Sequence, residues 1–141
     1  MKGSGAATAT QNYDFRGRPN NGNIQNAISG GTQSTLVGNP YPSAIDGNEF
    51  IDDNATSLLD GTLIFWEQAP SNNTHYLALY EGRYSYYNKT GGLPPTTPPE
   101  ISGSGTASKT PQRYVPVGQG FLYLAMEMVV LSLLKTIKDF L

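Results

Sequence analysis

V-G-N-P-Y-P-S-A-I-D, residues Val37–Asp46, carries the chain out of a strand and into a helix. Ser34–Val37 leads in as strand text. Pro40 pushes Asn39 out of the α region and Pro42 does the same to Tyr41, so the segment is extended. Neither proline has an N–H to give to a ladder. Gly38-Asn39 is the turn pair between the strand and the first proline. Asp46 then launches a helix: its carboxylate accepts from first-turn N–H groups, and Glu49 at N3 completes a capping box. Ile45 and Phe50 stand where a hydrophobic staple needs them. The expected helix is short, Gly47–Asp53, and ends by Asn54.

The rest of the chain reads mostly as strands and turns. Thr62–Trp66 is an apolar run after an Asp-Gly turn and is expected as a central strand with Trp66 in the core. Tyr114–Val117 is a further strand, closed by Gly118-Gln119-Gly120 as a turn or bulge. Upstream, Asn12–Arg16 alternates at period two, Gly17–Asn23 is dense in turn residues, and Ile24–Ser29 is a second short strand. His75–Tyr80 and Arg83–Tyr87 are expected to form a hairpin around Glu81-Gly82. Gly91–Thr110 holds four prolines, Pro94, Pro95, Pro98 and Pro99, and reads as a long exposed loop. Residues 1–11 are small and polar and read as a frayed start. The fold class is mainly β: an antiparallel sandwich or jelly-roll-like module over residues 12–121, with one short helix and a helical C-terminal tail.

At 141 residues the chain is long enough for one domain with a modest core. Charged residues are 14% of the total, well below the roughly 25% of an average domain. Gly, Pro, Asn, Ser and Thr fill the difference, which suits short strands with neutral polar outer surfaces. A net charge of −2 without a basic cluster speaks against nucleic acid as a partner. With no cysteine there is no disulfide, thiolate metal site or Cys nucleophile. Met1–Gly5 has no apolar h-region, so the expectation is that this chain carries no signal peptide of its own.

The text changes at Phe121. Phe121–Leu134 is nearly all apolar and rich in Leu, Met and Ala, which is helix text. It falls short of the roughly 20 residues of a transmembrane span. Two explanations stand side by side. Either the helix packs on the sheet, or residues 122–141 are read out of frame. Back-translated one base back, Leu122–Leu141 forces no stop codon, and its Met-Glu and Met-Val junctions each force a glycine. The shifted text is Ser/Asn/Gly-rich, like the preceding 120 residues. Sequencing the gene decides between them.

The block at Val37–Asp46 closely resembles a recurrent pattern in large secreted surface proteins of Bacteroidota. There G-N-P-Y-P-S-x-I-D is followed by a short helix ending in Asn, a G-T-hydrophobic-x-F-W strand, a Tyr/Asn-rich region and a closing x-P-x-G-Q-G-F-F strand. The corresponding stretches are Phe50–Asn54, Gly61–Trp66, Tyr76–Gly92 and Val115–Phe121, and F-x-G-x-x-N-x-G at Phe15–Gly22 also fits. The resemblance implies a β-rich module of a type IX secretion substrate, secreted or held at the cell surface, with an adhesin-like parent. It implies neighbouring domains as partners and carries no catalytic residue. Here Leu122 replaces the expected second aromatic, and the leader is missing, which implies a fragment.

Three groups of side chains invite a functional reading. His75, the sole histidine, has no G-x-S-x-G elbow to serve, so the reading is non-enzymatic. Asp46, Asn48, Asp52 and Asp53 are oxygen-rich and suit Ca²⁺, although helix capping uses the same residues. Trp66, Tyr76, Tyr80, Tyr84, Tyr86 and Tyr87 suit cross-strand packing first, and Tyr84, Tyr86 and Tyr87, expected to be partly exposed, are the alternative platform for surface glycans. The motif residues Gly38, Asn39, Pro40, Tyr41, Pro42, Asp46, Glu49, Trp66, Gly118 and Gly120 are expected to be structural.

Overall fold

A computed structural model describes residues 14, 16–28, 34–58, 60–68, 76, 82–96, 109–125 and 129–133. The chain is mainly β. In order its elements are β1 (Ile24–Ile28), β2 (Ser34–Gly38), β3 (Ile45–Asp46), α1 (Gly47–Asp53), β4 (Leu63–Gln68), β5 (Gly82–Asn88), β6 (Gly91–Thr96), β7 (Tyr114–Val115), β8 (Gly120–Leu124) and β9 (Val129–Leu133). The central sheet has five strands in the order β2-β8-β4-β5-β6. Two smaller pairs, β1-β9 and β3-β7, flank it. All pairings are antiparallel.

Alternation assigns the two faces of the central sheet. Val37, Leu63, Ser85, Tyr87, Phe121 and Tyr123 point inward and are buried, except that Val37 keeps 8% exposure. Against them packs α1 through Phe50 and Ile51. The Phe50 ring meets Phe121 edge-on with centroids 5.2 Å apart and lies 6.4 Å from Tyr123. Such edge-to-face pairs add about 1 kcal/mol beyond the area they bury. The small pair β3-β7 sets Ile45 opposite Val115, both buried, and closes the core beside the helix.

The capped helix forms where the sequence places it. Asp46 adopts an extended backbone, φ −75° and ψ 115°, and its Oδ1 accepts from the N–H groups of Asn48 (2.9 Å) and Glu49 (3.5 Å). Asn54 ends the helix as C-cap, and its amide donates to the Phe50 carbonyl at 2.8 Å. Ile45 and Phe50 share the same buried cluster, as the staple requires.

Several expectations need correction. Leu122–Leu124 and Val129–Leu133 are strand, not helix. Leu, Met and Ala favour a helix by less than about 1 kcal/mol per residue, and pairing with β2 overrides that. The strand reads as a continuous apolar run because both of its faces are apolar: Phe121, Tyr123 and Ala125 are buried, and Leu122 and Leu124 are half-buried on the other side. Gly91–Thr96 is a strand at the sheet edge rather than loop. Prolines are tolerated there because one side of an edge strand has no ladder to complete. β5 is flanked by β4 and β6, while the first arm expected for its hairpin, His75–Tyr80, lies outside the described residues except for Tyr76. Trp66 is not in the core: Leu63 and Phe65 take the inner face of β4, which turns Ile64 and Trp66 outward. Asp14 and Arg16 lie outside any strand, while residues 1–13, His75, residues 97–108 and residues 134–141 lie outside the described set.

Candidate functional site, the outer face of the central sheet

The register of the five strands builds one row across the outer face. Leu36 on β2 sits opposite Leu122 on β8, Leu122 opposite Ile64 on β4, Ile64 opposite Tyr86 on β5, and Tyr86 opposite Leu93 on β6. Every member is apolar or aromatic. The two ends are open, with Leu36 70% and Leu93 57% exposed, and the middle is half-buried. Trp66 and Tyr84 extend the row on β4 and β5, their rings edge-on at 4.8 Å. The Trp66 ring lies over Gly82, where a Cβ would collide with its Cζ2. A glycine there is therefore what lets the indole lie flat along the sheet. Leu124 extends the row on β8. None of these eight side chains is charged.

The tyrosines separate by parity. Tyr84 and Tyr86 are half-buried on this outer face. Tyr87 points the opposite way, is 5% exposed in the core, and donates its hydroxyl to Asn48 Oδ1 at 2.8 Å. Burial raises its pKa above the ordinary tyrosine value. Tyr87 is thus not part of a surface platform: adjacent residues of a strand face opposite sides. Trp66, assigned to the core by sequence, is the aromatic that joins the two outward tyrosines.

The oxygen-rich helix is committed to other partners. Burial raises the Asp46 pKa, but Arg113 and the N–H groups of Asn48 and Glu49 outweigh it, so the carboxyl sits below its ordinary value. Arg113 Nε donates to both Asp46 oxygens at 2.9 Å. Asp52 pairs with Lys89 at 2.6 Å. Burial, with the neighbouring Asp52 charge, raises the Asp53 pKa. A cation would have to displace these partners, and among the described residues no group of three or more His, Cys, Asp or Glu side chains is placed to hold a metal.

The motif residues hold loops together. Asn39, 6% exposed, donates from its amide to the carbonyls of Ser43 (2.8 Å), Val115 (3.1 Å) and Pro116 (3.2 Å), and its Oδ1 accepts from Tyr41 N–H. Gly118 has φ 71°, a left-handed backbone, in a turn closed by Gln119 N–H donating to Pro116 O at 3.2 Å. Gly38 and Gly120 pair at the end of the β2-β8 ladder.

A family profile described as a domain of unknown function, DUF8693, matches residues 2–132, nearly the whole chain. The chain belongs to this family. No curated protein and no solved structure matches it. The family's description assigns no chemistry, so the reading of function rests on the faces and loops of the fold. Among the described residues no helix is long and apolar enough to cross a membrane.

Proposed function

We propose that the chain is a non-enzymatic structural or adhesive module of a secreted bacterial surface protein, and that its outer sheet face packs against a neighbouring domain of that protein. The observation that carries this reading is the uncharged row from Leu36 to Leu93 across all five strands. A contiguous apolar patch of a few hundred Å² is about the largest that a typical monomer exposes, and such patches are often functional. The size of the strip selects the kind of partner. Five strands at about 4.8 Å spacing, each contributing about 17 Å of length, give a footprint of about 300–350 Å². A stable free dimer needs about 800 Å² per partner. A tethered neighbour, held at millimolar effective concentration, needs less. The resemblance of Val37–Asp46 to secreted surface proteins supports the cellular setting.

Trp66 is the sole tryptophan and lies on this face, so it reports the contact directly. Acrylamide quenching of its fluorescence is compared in the isolated chain and in the chain joined to its genomic neighbours. The reading expects strong quenching in the first and protection in the second. Equal quenching in both refutes it.

One observation favours a second reading. Tyr84 and Tyr86 share the outer face with Trp66, an arrangement that suits a surface glycan stacked on aromatic rings. A glycan array tests it: binding that is lost in Tyr84→Ala and Tyr86→Ala while the fold persists selects the glycan over the neighbouring domain.

A further inference from the structure

Three loops meet at the Pro40–Pro42 corner and line an open, solvent-facing depression of about 230 Å³. Arg16 and Arg18 form one wall, and Pro40, Pro42 and Val117 form the other. Hydrogen bonds tie the corner together. Asn20 donates from its amide to the Pro40 carbonyl at 2.9 Å, and the Tyr41 hydroxyl donates to Gly22 O at 2.7 Å, which ties the arginine loop to the proline turn. Asn39 ties that turn to the Val115–Pro116 backbone. The prolines fix their own φ. A ligand entering here orders little of the protein.

The lining selects the ligand class. It contains no acidic residue, although the chain as a whole carries net charge −2. Arg16 is shared with Asp14 at 2.7 Å, whereas among the described residues no acidic side chain pairs with Arg18. A guanidinium recognises a carboxylate through two parallel N–H donors. The opposite wall is aliphatic, with Val117 41% exposed, and among the described lining residues the one aromatic, Tyr41, is 2% exposed. The Asn20 and Asn39 amides already donate to backbone carbonyls, so few groups remain to read the several hydroxyls of a sugar. The volume lies below the roughly 300 Å³ at which drug-sized sites begin, so one or two residues fit.

We infer that this corner binds an acidic peptide segment, with one carboxylate on Arg18 and the adjacent apolar side chain against Pro40, Pro42 and Val117. It lies at loops away from the outer sheet face and does not depend on the function proposed for that face.

The test is a titration of the full chain, followed by amide shifts of Gly17, Val117 and Gly118, with the capped peptide acetyl-Leu-Asp-Pro-Val-amide. Its Asn-for-Asp counterpart and trigalacturonate serve as the comparison arms. Saturable shifts at those amides are expected with the Asp peptide, in the low-millimolar range or tighter, weakening as salt is raised. Arg18→Gln, at an exposed position, is expected to weaken binding about fivefold without unfolding the chain. Val117→Ser is expected to weaken it independently through the apolar wall. Absence of shifts, equal shifts with the Asn peptide, tighter binding of trigalacturonate, or an Arg18→Gln chain that binds as the parent does would each overturn the inference.

Discussion

Asp46 joins three interactions that substitutions can separate. It caps α1, it pairs with Arg113, and it belongs to the two-residue strand β3. Asn caps about as well as Asp, while Ala does not cap. Loss of the cap costs about 1 kcal/mol. The Arg113 pair, with the arginine side chain 49% and the aspartate 21% exposed, is screened by water and is worth about 0.5 kcal/mol. Asp46→Ala therefore costs about 1.5 kcal/mol, and Asp46→Asn about 0.5 kcal/mol. At roughly 3 °C per kcal/mol for a chain of this size, Tm falls by about 4–5 °C and about 1–2 °C respectively. Thermal melts followed by circular dichroism read both values. The pH dependence supplies a second check. The folded carboxyl lies below its ordinary value of 3.8, so its contribution is present above that pH and is lost as pH falls through the folded value. The gap between the parent and Asp46→Asn should therefore close in acid. Equal losses for Ala and Asn, or an Ala loss below about 0.3 kcal/mol, would refute the capping argument.

Three further outcomes follow from the core. Phe50→Ala removes the ring that α1 sets against Phe121 and Tyr123, and should cost about 3–5 kcal/mol in urea unfolding. Gly92→Ala places a Cβ against the Pro111 carbonyl oxygen and 3.0 Å from Thr110 Cγ2, so the β6 edge must shift; hydrogen exchange of Gly91–Leu93 should accelerate, and unchanged exchange would show that the edge yields freely. Burial pushes the Tyr123 hydroxyl up to about 12, with the Thr35 side chain acting in the opposite direction. Its neutral form is favoured in the fold, so stability is full below the ordinary pKa of 10.0 and falls as pH rises through about 12. Urea unfolding at rising pH should show a smaller alkaline loss in Tyr123→Phe than in the parent, the remainder coming from Tyr41 and Tyr87, whose pKa values burial also raises.

Local text predicted local elements well. Asp46 and Asn54 set the two ends of the helix, because capping bonds span two to four residues of the same chain. Ile24–Ile28 and Ser34–Gly38 formed where short apolar text stood between turn residues. The candidate site was only half legible. Tyr84 and Tyr86 were read as partly exposed from their alternation, but Tyr87 and Trp66 exchanged places between surface and core. The origins differ: alternation by itself sets Tyr87 on the face opposite Tyr86, whereas no strand pattern says which face of β4 meets the helix, and that is what misplaces Trp66.

The sequence by itself determined that the chain is mainly β and where its capped helix begins and ends, since these follow from dihedral preferences and bonds between near neighbours. Only the tertiary structure decided the rest. It drew Leu122–Leu124 into a strand against its own helix preference, because pairing with β2 and burial of Tyr123 outweigh a propensity of tenths of a kcal/mol per residue. It aligned Leu36, Leu122, Ile64, Tyr86 and Leu93, which lie between positions 36 and 122 of the chain, into one row. It also turned V-G-N-P-Y-P-S-A-I-D from a strand-to-helix passage into one wall of a pocket, because the opposite wall arrives from Arg16 and Arg18 through hydrogen bonds that no local pattern encodes.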